Sequence, residues 1–599
     1  MLFSVLVAAA LQSFSAYAEP DTLNAVTIVA DRGVVVSKKD TVPISNAVSI
    51  TDVLERIPGF YVSDNGGSAG LKTVNLRGLG SPHTAIYIDG VRVGNVQSGQ
   101  GDLGMLDVEN MGSAVIDYAQ NSLSFTTARP SLGGKSVGGK LKFRAGSFGT
   151  YEPSGRLDFK LSDEIVMSAT ASGIWNKGDF PYGDGLLREN NDISQLRSGL
   201  DAWGLTNGGD WHVKAYYNGS DRGTPGSTSW PSTDRQKDRN AFVQGLLRKN
   251  CSHLYSLNLS AKASYDKMLY LSEWGDSDYG QTEFQLNSSH EFHISDCWNV
   301  SLAADVQWDG LKADSYEASR LGVVTALAAA LRLGRFNADA ALEYDGYYDR
   351  DGENRGNLSP SLDLRLTLFE GFDIVAFGRR AYRVPTFNEL YYPGYGNPEL
   401  QSEDAWLTDI GAEWSRKAGD SWALSAKLDG FYDYLKNKIS SAPSPENSSL
   451  WMPYNVGVAR MSGLDLQAEA AFSEGEWNAR FSAKYSFQNA VDITPDSYSY
   501  GEQLPYIARH SVTLDASAGC KGWLLDALWN WRGGRRDSAG EMPDWNTLNL
   551  SLGKDFALGR GTVLGLKAVA QNVFDCRYEL SAGYPMPGRA FYLVTDFKF

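Results

Sequence analysis

The sequence predicts a transmembrane antiparallel β-barrel of about 22 strands, with an N-terminal α+β plug domain inside the lumen. Three observations point there. From about Gly138 to the last residue, apolar and polar residues alternate in segments of about ten, as in strands with one face in lipid and one in water. Along the same stretch, short turns trade places with long polar connections. A stretch of mixed helix and strand signals, Asp52 to Val93, precedes all of this, and a barrel so wide would be an open pore unless something filled it.

Composition narrows the class. The chain has 599 residues, 42% hydrophobic and 12% aromatic, with 30 Tyr, 16 Trp and a net charge of -16. An acidic chain is a poor partner for nucleic acid, whose phosphates require a basic surface. Six His and four Cys leave little room for a multi-ligand metal site or a disulfide framework. The aromatic load suits interfacial girdles.

Residues 1–18 read as a secretion signal, with an apolar core from Leu2 to Leu11 and an A-x-A cleavage site at Ala16-Tyr17-Ala18. The absence of Lys or Arg before that core departs from the usual pattern. A run of about ten apolar residues is too short to span a bilayer, and no later run approaches the ~20 that a spanning helix needs. A membrane location therefore requires strands.

Taken in order, Asp52 to Val93 opens with a short helix. Ser49 is a candidate N-cap with Asp52 three residues on, and Val53, Leu54 and Ile57 supply one apolar face. Pro58 stops the helix at Ile57, and Gly59 releases the chain into an extended run. Alternation then marks strands, with Val74, Leu76, Ala85 and Tyr87 against Asn75, Arg77, Thr84 and Ile86. Asp89-Gly90 is a turn dipeptide between Ile86–Ile88 and Val91–Val93. Arg77-Gly78 places a charge inside this unit, where a buried ion pair or hydrogen-bond set at a plug–barrel surface is expected rather than a ligand contact.

In the barrel region, Val300, Leu302, Ala304, Val306 and Trp308 fall on one face, and Asn299, Ser301, Asp305 and Gln307 on the other. Leu257 to Ala263 and Leu564 to Gln571 alternate in the same way. Short turns are read at 249–252, 295–297 and 518–522, and long loops at 219–240, 441–451 and 531–545. A soluble antiparallel sandwich alternates too, but length, signal and loop asymmetry favour the barrel. About 460 residues at roughly 20 per strand and connection give a strand number in the low twenties. Leu593, Thr595, Phe597 and Phe599 end the chain on a lipid-facing row, so Phe597 and Phe599 read as its C-terminal insertion signal.

Several segments then match motifs of one family: LNAVTIVA at 23–30, LRGLG at 76–80, IDGVRV at 88–93, YRVPTFNELYY at 382–392 with GNPEL at 396–400, QNVFD at 571–575, and GYPMPGRAFYLVTDFKF at 583–599. Together they resemble the TonB-dependent outer-membrane receptors over essentially the whole mature chain. That resemblance implies an extension at 19–30 carrying the TonB box (Leu23, Asn24, Ala25, Val26, Thr27, Ile28, Val29, Ala30), a plug at 31–137 with motif residues Arg77, Gly78, Asp89 and Gly90, and a barrel at 138–599. An apolar β-branched segment such as 23–30 suits addition to another protein's sheet, although an ordinary first plug strand would look the same. One departure concerns the plug exit, where the family's Gly-x-x-Ser-x-x-Tyr-Gly segment is replaced by VIDYAQNSLSFTTARPSLGGKSVGG.

The same resemblance implies location in the outer membrane of a Gram-negative bacterium, and ligand-gated import energised through TonB and its inner-membrane motor. The GYPMPGR segment, the compact size and the loop RGTPGSTSWPSTDRQKDRN at 222–240 are similar to BtuB-like vitamin B12 receptors. Cobalamin or another corrinoid is thus the implied ligand, with a ferric siderophore as the alternative. Haem is less favoured because Arg383 to Leu400 holds no His for an axial ligand. Ligand contact is expected at the plug apices, Asp64–Lys72 and Gly94–Gly104, through Asn65, Gly66, Gly67, Gln97, Ser98 and Gln100. Solvated loop polarity reads the polar members of that set equally well.

No cofactor is required, but the resemblance implies structural calcium at Asp179, Asp184, Asn191 and Asp192, which supply hard oxygen ligands. An ordinary acidic loop is the alternative there. Outer-membrane lipid is a further partner, and the family admits a surface lipoprotein over the mouth. Cys251 and Cys297 fall in turns of successive hairpins, where an oxidising compartment would permit a bridge, while Cys520 and Cys576 lie at opposite ends. His290 and His293, at i and i+3 on a strand, face opposite sides and make no metal pair. No Ser-His or Asp-His clustering supports a barrel enzyme, and a passive porin would have neither box nor plug.

Overall fold

The computed structural model describes residues 39–42, 44, 50–57, 59–132, 134–183, 185–443, 450–537 and 540–599. The signal segment, the candidate box at 23–30, Ser49, Pro58 and Asp184 lie outside the described residues. No described helix is long and apolar enough to cross a membrane; the crossing is made by strands.

From Val137 onward, 22 antiparallel strands close into a barrel, the last (Ala590–Lys598) pairing with the first (Val137–Gly146). Phe599 completes the seam by exchanging backbone hydrogen bonds with Gly139 at 3.0 and 3.1 Å. The period-two pattern takes the orientation its chemistry demands. In strand Trp298–Ala313, Leu302 and Trp308 face outward, while Ser301 and Ala303 are buried against the plug side. Trp298, Phe336, Trp422, Trp477 and Trp523 each begin a strand just after a short turn and are exposed, as are Phe597 and Phe599 at the chain end. This is an aromatic row at one membrane interface.

The turns and loops are tighter than the sequence suggests. The strand Arg235–Ser252 runs through the expected turn, which narrows to residues 253–254, and the expected loop 219–240 shrinks to 224–234 because strands Gly209–Gly223 and Arg235–Ser252 pair to their ends. Polar residues there sit on ladder-bonded strand that rises beyond the membrane, so polarity misreads it as loop. Strand length varies systematically around the barrel. Trp422–Pro443 and Trp451–Glu474 have 22 and 24 residues, whereas the strands flanking the seam (Thr562–Gln571, Ala590–Lys598, Val137–Gly146, Thr150–Lys160) have 9 to 11.

Inside lies the plug: β1 (Lys39–Val42), α1 (Ile50–Leu54), β2 (Phe60–Asp64), β3 (Lys72–Leu76), β4 (Ala85–Ile88), β5 (Val91–Val93), β6 (Met111–Asp117) and β7 (Ser122–Thr127). Five strands form one sheet in the order β1-β6-β7-β4-β5, with β4 and β7 parallel, and β2–β3 is a separate hairpin. The helix ends at Leu54, three residues before Ile57, because its last turn tightens into the i→i+3 bonds Arg56 N–H to Val53 O and Ile57 N–H to Leu54 O. Ile86, Tyr87 and Ile88 are all buried. Alternation fails there because one face of the sheet meets the plug core and the other meets the barrel wall. Val53, Leu54, Leu76, Ile116 and Phe125 form one apolar cluster with barrel residues Leu407, Phe431, Leu435 and Met461.

Candidate functional site: plug apices beneath the outer mouth

The plug is pinned to the wall at the turn following β3. Arg77 adopts φ 54° and Gly78 φ 87°, which throws the guanidinium sideways out of the strand. It contacts Asp409 at 2.8 Å and Asp465 at 3.0 Å, and it lies over the Tyr118 and Phe431 rings at 4.5 and 4.2 Å. Burial alone would depress its pKa; Asp409 and Asp465 outweigh that and hold the charge. A Cβ on Gly78 would meet Ile507 Cδ1 at 2.9 Å. Asp89 and Gly90 both have positive φ, as a type I′ turn requires, and Asp89 accepts from the Thr127 amide and hydroxyl at 2.6 Å each. Lys214 donates to Thr127 Oγ1 and Asp201 at 2.8 Å, tying that turn to the wall. Among the described residues, Asp89, Asp201 and His212 are the one acid–histidine cluster close enough to share a cation; the Lys214 ammonium already occupies that charge balance.

The apex at 94–104 is gripped by the central barrel motif. There α2 (Phe387–Tyr391) begins with a full capping box, Thr386 and Glu389 bonding each other's backbone. Its first amides point at the plug: Phe387 N–H donates to Val96 O at 3.4 Å and Asn388 N–H to Gln97 O at 3.0 Å. Arg383 bridges Glu389 (3.0 Å) and Glu403, and Glu403 meets His83 of the plug at 2.7 Å. The fit is close at Gly99, φ 71°, where a Cβ would fall 2.6 Å from Thr386 Cγ2.

The apex at 64–72 is covered. Asp64 Oδ1 accepts from Gly66 and Gly67 amides at 3.1 and 2.9 Å, and Lys72 Nζ lies 3.4 Å from its other oxygen. Burial pushes the Asp64 carboxyl up, against the pull of Lys72 and those amides. Above it, the GYPMPGR segment supplies the second strand, Tyr584–Pro585, of a small hairpin whose first strand is Glu579–Ser581. Tyr61 OH donates to Leu580 O at 2.7 Å, Asn191 Nδ2 to Gly66 O at 2.9 Å, and the Thr228 amide to Gly583 O at 2.8 Å. A Cβ on Gly67 would meet Pro587 Cγ at 3.1 Å.

Of the residues singled out for ligand contact, Ser98 is therefore exposed, Asn65, Gly67 and Gln100 are half-buried, and Gly66 and Gln97 are buried. For the implied calcium quartet, Asp179 is exposed, but Asp192 gives both oxygens to Arg235 at 3.0 and 2.9 Å, and Arg235 also holds Asp221 at 2.8 Å. A divalent ion at Asp192 would have to displace a guanidinium, whereas the buried Oδ1 of Asn191 has no hydrogen-bond partner among the described residues. Cys251, Cys297, Cys520 and Cys576 are all free thiols, which corrects the bridge considered between the first two. His290 and His293 bond separately, to Tyr255 OH at 2.9 Å and Ser256 Oγ at 3.1 Å.

Sequence reading missed the grip of α2 and the cover over the first apex. The Thr386-to-Glu389 spacing is a capping-box signal that could have located α2; nothing local marks Pro587 or Leu580 as neighbours of residues more than 500 positions away.

Comparison with known proteins agrees with this architecture. The family described as TonB dependent receptor-like, beta-barrel, matches residues 127–573, and the TonB-dependent Receptor Plug Domain matches residues 30–130. A Vibrio vulnificus protein named vitamin B12 transporter BtuB is 22% identical over 592 residues, covering 92% of this chain and 90% of that one. A Photobacterium profundum protein of the same name is 22% identical, with 94% and 91% covered. Among solved structures, the copper transporter OprC superposes with a TM-score of 0.78 at 14% identity (94% and 99% covered), and the FrpB iron transporter of Neisseria meningitidis with 0.77 at 14% identity (94% and 99% covered). The fold and site define a plugged barrel receptor of the Gram-negative outer membrane. The chain belongs to the TonB-dependent receptors, importers of nutrients whose partners are TonB and a ligand.

Proposed function

We propose that this receptor imports cobalamin or another corrinoid. The observation that carries the reading is the end-to-end match to relatives named vitamin B12 transporters, covering 92 and 94% of the chain. Such a ligand is too large for a general porin, and the outer membrane has no nucleotide pool to energise uptake. In this reading, residues 23–30 pass to TonB, and the ligand settles between the two apices and the outer loops, touching Ser98 and Gln100 first. Calcium is not required in this reading, since Arg235 and Lys237 already balance Asp192 and Asp221. A surface lipoprotein above the mouth would be an accessory.

A ferric siderophore is the second reading, favoured by the iron transporters among the structural neighbours. Calorimetry of the purified receptor with cyanocobalamin and a panel of ferric siderophores separates the two: binding heat is expected with the corrinoid, and its absence with every corrinoid removes the first reading. Deletion of residues 23–30 is expected to abolish uptake while leaving binding intact; uptake at full rate would rule out energised transport.

A further inference from the structure

Most strongly buried cations in this lumen touch a carboxylate. Arg56 meets Asp515 at 2.7 Å, Arg222 meets Asp102 at 2.9 Å and Arg320 meets Asp349 at 2.8 Å. The pattern breaks at Arg197, which among the described residues bonds only Gly104 O and Gln195 Oε1, and it breaks more than once beneath the hairpin 579–585. Arg188 and Arg535 are each only 3% exposed, yet among the described residues neither has a carboxylate within ion-pair distance. Arg535 donates to Glu579 O at 2.7 Å and Tyr61 OH at 3.4 Å; Arg188 donates to Gly226 O and lies 5.7 Å from the Tyr584 ring. The Nε of each has no hydrogen-bond partner, and neither does Nε1 of Trp545, itself 4% exposed. A further guanidinium, Arg532, lies 5.9 Å from the Trp545 ring and bonds neutral acceptors, among them Val512 O and Trp531 O at 3.2 Å and Thr513 Oγ1 at 3.3 Å.

These groups come from separate connections and meet on one small element. Arg535 holds the hairpin's first carbonyl, Tyr584 carries Arg188, and Trp545 packs against Leu580 and Met586. Burial with no carboxylate in contact pushes the Arg188 guanidinium down from its ordinary value. Buried donors left without acceptors are costly in a finished core. Here several border one hairpin, all are donors, and two are cationic, in a protein whose net charge is -16. Glu579 and Glu55 act on Arg188 and Arg532 only from beyond ion-pair distance, and no described carboxylate is in contact with these groups. What is missing is an anionic acceptor from outside.

We infer that Arg188, Arg532, Arg535 and the Trp545 indole N–H form a seat for an oxyanion carried by the transported ligand, a phosphodiester or a carboxylate, beneath the hairpin 579–585. The inference rests on the reading that this mouth receives a large nutrient, and it adds which part of the nutrient is recognised. Guanidinium suits either oxyanion because its planar fork matches two oxygens at once. The ligand's charged group reaches the seat when the hairpin lifts from Tyr61.

The test uses the full-length purified receptor, wild type against Arg188→Met, Arg535→Met and Arg535→Lys, each first shown to keep the heat-modifiable gel mobility of a folded barrel. Calorimetry compares cyanocobalamin, which carries a phosphodiester, with dicyanocobinamide, which lacks it. Each Met variant is expected to weaken cyanocobalamin about 10- to 100-fold, to leave dicyanocobinamide unchanged, and to flatten the salt dependence of binding; Arg535→Lys retains part of the affinity. Equal weakening of both ligands would mark a purely structural role, and no weakening of either would also overturn the seat. Should wild type bind no corrinoid, the corrinoid reading fails on its own, and ferric citrate and inorganic phosphate become the probes. The seat then stands only if those anions bind or raise the melting midpoint in wild type and do so less in the Met variants.

Discussion

Replacing Arg77 with alanine tests the post that pins the plug to the barrel. The side chain is 4% exposed and holds Asp409 at 2.8 Å and Asp465 at 3.0 Å, with Asp433 also within electrostatic reach. Truncation leaves those carboxylates buried, facing one another without their counter-charge. Breaking a buried pair from one side costs about 3–5 kcal/mol. The barrel ladder is untouched, so the loss falls on the plug, whose opening equilibrium should rise about 150- to 5,000-fold. Hydrogen exchange read by mass spectrometry is the assay. Peptides covering β3, β6 and β7 should lose protection by that factor, while strand Trp298–Ala313 keeps its own. Adding Asp409→Asn and Asp465→Asn to Arg77→Ala should recover much of the protection, because the stranded charges are gone. Unchanged exchange in β3 and β6 after Arg77→Ala would refute the idea that this ion pair anchors the plug.

Three further outcomes follow from other contacts. Gly99→Val should loosen the second apex by about 1–3 kcal/mol, since φ 71° is strained for valine and its Cβ would fall 2.6 Å from Thr386 Cγ2; faster proteolysis within 94–104 is the readout. Glu55, whose carboxyl burial and then Asp52 raise from 4.5 to about 7, should make the plug less stable as pH rises. The folded state holds the proton more tightly, so stability is full below about pH 4.5 and falls through pH 7, by up to about 3 kcal/mol. Glu55→Gln should remove that slope between pH 5 and 8 in a plug-exchange experiment. Because Arg235 satisfies Asp192 and Asp221, EDTA should leave the wild-type melting midpoint unchanged, whereas Arg235→Gln should acquire stabilisation by millimolar calcium; a calcium response in wild type contradicts this.

The barrel was legible because lipid imposes a rule on every second residue, and runs such as Val300 to Trp308 obey it. The plug was legible in part. Asp89-Gly90 announces its turn through local backbone chemistry, and Arg77 is conspicuous as a charge amid apolar strand. The burial of both Ile86 and Tyr87 could not be read, since it arises from being enclosed by the barrel. The mouth was least legible. Gly67 meets Pro587, and Arg188 meets Tyr584, through tertiary contact alone, and an arginine in a polar loop looks the same whether it is solvated or sealed beneath a hairpin.

The uneven strand lengths give the mouth a direction. Strands of about ten residues only just cross the hydrocarbon, so on the seam side the described rim consists of residues 177–183, 185–192 and 572–589, which bend inward over the first apex. On the opposite side, strands of 22 and 24 residues carry the wall far above the lipid as paired strand, with a bulge near Lys438. A ladder yields only by breaking a whole row of bonds. The cover on the seam side hangs from a handful, among them Tyr61 to Leu580, Asn191 to Gly66 and Thr228 to Gly583. The mouth thus has a rigid wall on one side and a lightly bonded cover on the other, the cover standing above the closed seam of the first and last strands.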